Sequence, residues 1–258
     1  MFFSRISTVY SIRLLKAMLL VLQSPIISNN LARGSTVAMT EIKAAATPFV
    51  HGRTGKKLPE DLDLFRQKAM DLGAAGAEII RAEQLVVDER VRLKCLIPRC
   101  LRAGETPNCP PNAPDLDLVR KALARYSWGI LIKTHVEPVS DFVPGSSKDK
   151  SGTDLSLLFH RKTADIVYEI ERLAYKHGYS LAMGLGGGSC KDYLCHGLVC
   201  QFKDSGRCRF PLRARPAMEA LGIDVVDIMG QSGWEAYPLL DDPAGIPCAT
   251  SVGLVLIN

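Results

Sequence analysis

Residues 179–208, YSLAMGLGGGSCKDYLCHGLVCQFKDSGRC, are the stretch that decides the fold. The first seven residues are apolar enough to form a buried strand, and a glycine run then turns the chain into a group of four cysteines. These are Cys190, Cys195, Cys200 and Cys208, with the spacing C-x4-C-x4-C-x7-C. Loops can turn several side chains inward where one helix or strand cannot, so the pattern indicates a metal site at a strand end.

An earlier loop, which runs to Pro114, carries a second set of cysteines. It contains Cys95, Cys100 and Cys109 with the spacing C-x4-C-x8-C. Only Cys248, in a Pro-Cys-Ala loop before the last predicted strand, stands apart from the two groups. Concentration of thiols in loops between apolar elements is what a metal site requires.

Three interpretations of the cysteines compete. Disulfides suit small secreted domains without a core, whereas 258 residues of which 47% are hydrophobic can bury one. Structural zinc usually takes paired C-x2–4-C knuckles, and the wider spacings here form no such pair. Iron–sulfur clusters take four thiolates, and C-x4-C spacings are compatible with a [4Fe–4S] cluster. The residues favour iron and sulfur and leave zinc open.

The surroundings of the second group also favour an anionic centre. Backbone amides at Gly186, Gly187 and Gly188 are able to donate to sulfur, and Arg213 and Arg215 bring positive charge after the last cysteine. We predict that these five residues contact the cofactor. The alternatives are a tight turn for the glycines and an exposed helix start for the arginines.

Other motifs near the cysteines give weaker evidence of a function. The glycines resemble half of a dinucleotide fingerprint, but their spacing breaks G-x-G-x-x-G. His196 is predicted to lie behind the thiolate ligands, and His160 is predicted to be a surface or packing residue. Glu219 is expected to pair with Arg213 or Arg215.

The order of helices and apolar strands predicts the fold class. Helices are predicted at 59–71, 115–126, 215–221 and 225–232, with the longest one running from a cap at Thr153 or Asp154 to His177. Strands are predicted at 77–83, 85–95, 128–134, 179–185 and 251–257. The class is therefore α/β or α+β, with a mixed sheet, packed helices and two cysteine-rich metal-binding loops.

The N-terminus is predicted to lie outside the fold. Residues 1–40 contain four basic residues and no acid, and the apolar run 17–27 is too short for a stable membrane span. They form either a targeting segment or an upstream extension before Met39, and we favour the extension because export conflicts with reduced thiols. Residues 41–59 form a polar lead-in, and residues 60–258 a single metal-binding domain. The predicted location is cytoplasmic.

Charge excludes one class of partner. Taking the four basic residues of 1–40 from the total of 32 leaves 28 basic against 27 acidic residues. A nearly neutral body has no electrostatic footprint for nucleic acid, so none is expected to bind.

Two runs of residues resemble a known family. Cys95-x4-Cys100-x8-Cys109-Pro-Pro-Asn112 is similar to the opening motif of the DUF2284 family of predicted metal-binding proteins. The later runs Gly187-Gly-Ser-Cys190, Cys208-Arg-Phe-Pro211, Ala214-Arg-Pro-Ala-Met-Glu219 and Gly222-Ile-Asp-Val225 resemble it too. The similarity covers roughly residues 60–258. It implies seven metal ligands: Cys95, Cys100, Cys109, Cys190, Cys195, Cys200 and Cys208.

These observations predict an iron–sulfur electron carrier or redox adaptor that acts with a redox partner protein. Cys190, Cys195, Cys200 and Cys208 would hold one [4Fe–4S] cluster, and the first group would hold another with Cys248 or with one open iron. An open iron would allow a redox enzyme instead. A zinc-stabilised binding module is the third hypothesis.

Overall fold

Four strands form one sheet in the computed structural model, which describes residues 57–136, 139, 158–196, 198–237 and 246–258. They are β1 (Gly76–Arg81), β2 (Trp128–Val136), β3 (Met183–Leu185) and β4 (Ala249–Ile257). Their spatial order is β1-β2-β4-β3, and each neighbouring pair is antiparallel. With helices packed on this sheet, the fold is α+β.

Seven α-helices surround the sheet in the described part of the chain. They are α1 (Lys57–Asp71), α2 (Glu89–Leu93), α3 (Leu116–Leu123), α4 (Arg161–Lys176), α5 (Cys190–Cys195), α6 (Gln201–Ser205) and α7 (Val225–Gln231). Two 3-10 helices cover Ala82–Gln84 and Glu219–Leu221. Aspartates fix several starts: the Asp115 side chain accepts from the backbone N–H of Leu118 over 2.9 Å at the start of α3.

Both faces of the central strands are buried, which explains their unbroken apolar sequences. On one face α1 and α4 contribute Phe65 and Ile170, which pack with Ile130 of β2. On the other face Leu131 of β2 belongs to a second cluster with Met218. The second cluster continues through the residues that precede and form α7, so that side of the sheet supports the segment after the last cysteine of the second group.

The strand predicted at 85–95 is wrong. Residues Glu89–Leu93 form α2, and only Val87 makes a strand-like bridge, to Ile223. The Asp88 side chain accepts from the backbone N–H of Arg90 over 2.7 Å, which caps a helix in the place of a strand. This cap favours a helix, although the alternating sequence pattern is typical of a strand.

Other predicted elements differ in their limits. The long helix begins at Arg161, while its predicted cap at Thr153 or Asp154 lies outside the described residues. The strand predicted at 179–185 is confined to β3, because Tyr179 and Ala182 instead close a turn through a 3.1 Å backbone hydrogen bond. The helix predicted at 215–221 is a 3-10 helix over its last three residues. Helices α5 and α6, inside the second cysteine group, were not predicted.

The predicted extension at 1–40 lies outside the described residues, as does the lead-in up to residue 56, so these boundaries stay predictions. The described residues all belong to one compact unit. None of the helices in this part of the chain has the length and apolar character needed to cross a bilayer.

Candidate metal site

The first cysteine loop joins α2 to α3 and is closed at its base. The Arg92 guanidinium donates to the carbonyl oxygens of Pro114 over 2.8 Å and Ala113 over 3.1 Å, which ties the two ends of the loop together. Inside the loop, the Cys100 N–H donates to the Cys95 carbonyl over 3.0 Å. The backbone therefore holds the cysteines of this group in one compact turn region.

A second chain segment supports the base of this loop. The Asp88 N–H donates to the Gly222 carbonyl over 2.8 Å, and the Asp224 N–H donates to the Val86 carbonyl over 2.9 Å. These bonds fix Glu219–Leu221 beside α2. Burial raises the pKa of the Cys95 thiol most, followed by the charge of Cys100, and Glu219 lies near enough to add to that rise.

The second cysteine group begins where β3 ends. The Gly186 N–H donates to the Pro216 carbonyl over 2.9 Å, and the Met218 N–H donates to the Gly186 carbonyl over 3.0 Å. The Gly186 amide, predicted to face sulfur, is therefore already used by the backbone. Ser189 then caps α5 by accepting from the Lys191 N–H over 3.4 Å, and Cys190 becomes the first residue of the helix.

The two cysteine loops meet through their thiols, although about 80 residues of chain separate them. Asn108 Nδ2 donates to Cys190 Sγ over 3.4 Å. Cys109 Sγ and Ser189 Oγ share a hydrogen bond of 3.5 Å. The sequence did not predict this contact, because no spacing rule links the loops.

Ion pairs clamp the loops in this arrangement. Arg102 of the first loop pairs with Asp192 of α5, and Glu105 pairs with Lys191. Lys203 of α6 reaches Glu105 over 3.8 Å. The Lys191 side chain is 9% exposed and the Glu105 side chain 35%, so water reaches this pair from the side of the carboxylate.

Burial dominates the acid–base behaviour of the thiols. It raises the pKa of Cys95, Cys190 and Cys195, and the pKa of Cys190 reaches about 12. Negative charge on neighbouring cysteines adds to each rise: Cys100 and Cys109 act on Cys95, Cys109 and Cys208 on Cys190, and Cys200 and Cys208 on Cys195. All seven clustered cysteines are linked in this way, and a bound cation would favour their thiolate forms.

The seven sulfurs do not form closed ligand sets as they stand. Among the described residues, no three Cys, His, Asp or Glu side chains converge on a point that would hold one metal ion. All eight cysteines are free thiols. Their donor chemistry fits a soft metal such as zinc or iron with sulfide, and binding would require the side chains to move together. Convergence on two centres stays a prediction.

An unpaired carboxylate oxygen also fits a cation in this region. Glu219 Oε2 is shielded from solvent and has no hydrogen-bond partner among the described residues, and burial raises the pKa of this carboxyl. The expected pairing of Glu219 with an arginine is wrong. Arg213 pairs with Asp165, and Arg215 donates to Glu171 over 2.9 Å, so both arginines bind α4. Their contact with a cofactor stays a prediction.

Arg209 lies beside a thiol of the second group. Its guanidinium hydrogen-bonds to Cys195 and donates to the Val199 carbonyl over 2.7 Å. His196 ends α5 in the left-handed region, with φ of 47°, and is exposed. Cys248 contacts Thr250, with 3.9 Å between Sγ and Oγ1.

The remaining glycines of the run make room for a histidine. A Cβ on Gly188 would lie 2.1 Å from Cδ2 of His160, and one on Gly187 would lie 2.6 Å from its Nδ1. His160 Nδ1 shares a 2.8 Å hydrogen bond with Ser251 Oγ, to which Thr163 also donates over 2.8 Å. His160 is thus buried under the turn that leads to Cys190. The sequence gave no signal of this contact, because the two glycines and the histidine are far apart in the chain.

This histidine is expected to make the fold sensitive to acid. Burial lowers its pKa from 6.5 to about 4, so below pH 6.5 the unfolded chain binds a proton that the folded chain does not. The contribution of neutral His160 to the free energy of unfolding is fully present above pH 6.5 and is lost as the pH falls towards 4. We expect the metal-free chain to be about 2 kcal/mol less stable at pH 5 than at pH 7 on this account. Urea unfolding of wild type and His160→Asn at both values tests this, and equal pH dependence in the two chains would contradict it.

Residues 78–257 match the model of a family described as a predicted metal-binding protein, DUF2284. No curated protein and no solved structure matches the chain.

Proposed function

We propose that the chain, which belongs to the DUF2284 family of predicted metal-binding proteins, binds iron–sulfur clusters through its clustered cysteines and transfers electrons. It would act as an electron carrier or redox adaptor for a partner protein. Reduced thiols of this kind persist in reducing compartments, so the proposed location is the cytoplasm. A bound cluster would supply one-electron chemistry, while the chain supplies thiolates, hydrogen-bond donors and shielding from water.

The observation that carries the proposal is the meeting of the two cysteine loops, with N–H donors aimed at sulfur. Asn108 Nδ2 donates to Cys190 Sγ over 3.4 Å across the loops. Within them, the Arg102 N–H donates to Cys100 Sγ over 3.4 Å and the Phe210 N–H to Cys208 Sγ over 3.3 Å. Such bonds stabilise negative charge on sulfur and help to set the reduction potential of a cluster.

The test is the metal and sulfide content of the full chain, purified without oxygen and reconstituted with ferrous iron and sulfide. We expect about eight iron and eight sulfide ions per chain for two [4Fe–4S] clusters, or about four of each for one. Reduction with dithionite should produce a paramagnetic signal that reoxidation removes. A colourless chain with stoichiometric zinc and no sulfide would contradict the proposal and favour the zinc-stabilised module.

Single substitutions sharpen this test. Cys208→Ala is expected to lose one cluster, because it removes a thiolate of the second group. Cys248→Ala is the matched control and is expected to keep the wild-type iron content, since this thiol contacts Thr250 outside both groups. Unchanged iron and thermal stability in Cys208→Ala would count against the ligand assignment.

A further inference from the structure

Helix α5 contains the first two cysteines of the second group and separates them in space. Cys190 is its first residue and Cys195 its last. Five residues of α-helix turn the chain by about 500°, which leaves the two side chains about 140° apart around the axis and about 7.5 Å apart along it. The two thiols therefore leave the helix on different sides, although both lie near enough to Cys208 for its charge to raise their pKa values.

Cys190 faces the first cysteine loop. Its sulfur accepts a hydrogen bond from Asn108 Nδ2 over 3.4 Å and another from the Thr106 side chain. Ser189, one residue earlier, bonds to Cys109 Sγ over 3.5 Å. The first loop thus supplies a direct hydrogen bond to the Cys190 sulfur, and the charge of Cys109 raises the pKa of this thiol more than that of Cys208 does.

Cys195 faces the opposite part of the second group. The Arg209 guanidinium favours the thiolate form of Cys195, whereas negative charge on Cys200 and Cys208 adds to the rise in its pKa that burial causes. The same guanidinium donates to the Val199 carbonyl over 2.7 Å. This bond ties the segment after Cys208 to the segment between Cys195 and Cys200. The three thiols therefore share one region of the chain.

We propose that Cys190 joins Cys95, Cys100 and Cys109 in a four-thiolate centre that bridges the two loops, and that Cys195, Cys200 and Cys208 hold a separate three-thiolate centre. This partition rests on the proposed metal binding. It reverses the division predicted from the sequence, in which the second group was complete and the first lacked a thiolate. The second centre then has one metal coordination position without a cysteine, beside the positive charge of Arg209, and takes a small anionic ligand there.

Two double variants of the full chain distinguish the two partitions. Cys95→Ala/Cys100→Ala removes the first centre in both partitions, and Cys195→Ala/Cys208→Ala removes the second, so each chain should keep about half of the wild-type iron after anaerobic reconstitution. With the bridging partition, the cluster left in Cys95→Ala/Cys100→Ala has three thiolates and an open position, whereas the cluster left in Cys195→Ala/Cys208→Ala has four thiolates. The partition by sequence predicts a closed four-thiolate cluster in Cys95→Ala/Cys100→Ala. A closed cluster in that variant would overturn the proposal.

Folding and metal identity are controlled separately. Circular dichroism checks each variant, and serine substitutions repeat the comparison if an alanine chain does not fold. If the wild type binds zinc without iron or sulfide, the proposed redox function fails. X-ray absorption spectroscopy of the same two variants still reports the partition, as the number of sulfur ligands on the zinc that remains.

Cyanide probes the open position. It should shift the electron paramagnetic resonance spectrum of the reduced wild type and of Cys95→Ala/Cys100→Ala, which keeps the second centre together with Cys190. Cys195→Ala/Cys208→Ala, which keeps only the four-thiolate centre, should not respond. A response in that last variant, or no response in the other two chains, would overturn the open position.

Discussion

Gly188→Ala is expected to lower the free energy of unfolding by about 3 kcal/mol, because the new methyl group meets both backbone strain and a fixed ring. Gly188 has φ of 60°, in the left-handed region, and its Cβ would lie 2.1 Å from His160 Cδ2. The ring has little freedom to retreat, since Nδ1 is bonded to Ser251 and the edge packs on Phe159 with centroids 4.3 Å apart. Urea unfolding of the metal-free chain measures the loss.

A matched control separates the strain from the clash. Gly206 has φ of 69° at the end of α6, and nothing lies within 4 Å of a Cβ placed there. Gly206→Ala should therefore cost about 1 kcal/mol, from backbone strain alone. Equal losses for the two alanine variants would mean that the contact with His160 is not what requires glycine at 188.

The same substitution should also disturb metal binding. Gly188 lies two residues before Cys190, and a displaced turn would move the start of α5. We expect Gly188→Ala to bind less metal than wild type at equal protein concentration, whereas Gly206→Ala should bind nearly as much. The double variant Gly188→Ala/His160→Ala should lose less stability than the sum of the two single variants, because the ring that clashes is absent.

The central strands could be predicted from the sequence, whereas their arrangement could not. The runs 128–134 and 251–257 lie inside β2 and β4, because an apolar run of this length favours a strand with two buried faces. Their pairing, such as Leu131 opposite Leu254, joins residues more than 120 positions apart. Local periodicity contains no information about which distant strand becomes the neighbour, so the order β1-β2-β4-β3 required the structure.

The strand predicted at 85–95 was wrong because the alternation of residues was given more weight than the helix cap. Alternation of apolar and basic residues there fits a strand, yet five residues of α-helix satisfy it equally well. Asp88 followed by Glu89 is a helix start signal, and the structure uses it. Giving the cap more weight than the alternation would have predicted α2.

The residue types of the candidate site could be predicted from the sequence, whereas the contacts that bring them together could not. Clustered cysteines with C-x4-C spacings indicated thiolate chemistry from the sequence alone. The contact between Glu105 and Lys191 crosses 86 residues, and any of the many charged residues could have formed it. The supporting position of His160 was equally hidden, because it depends on glycines in another part of the chain.

The clamp between the loops gives the second large effect. Arg102→Ala is expected to cost about 3 kcal/mol, because it leaves the Asp192 carboxylate without its cation in a largely buried place. The side chains of Arg102 and Asp192 are 18% and 13% exposed. Burial raises the pKa of Asp192 and the arginine opposes that rise, so the carboxylate depends on this partner for its charge. Chemical unfolding of the reduced, metal-free chain measures the cost.

Removing the carboxylate instead should cost less. Asp192→Asn keeps a polar oxygen beside the Arg102 guanidinium and leaves no buried negative charge, so about 1 kcal/mol is expected. Arg102→Ala/Asp192→Asn should then be more stable than Arg102→Ala alone. Arg172→Ala is the control, because its pair with Glu169 has side chains 48% and 37% exposed, so solvent screens the interaction and its loss should change the free energy of unfolding much less. If Arg102→Ala and Arg172→Ala lose the same stability, the buried pair does not hold the cysteine loops together.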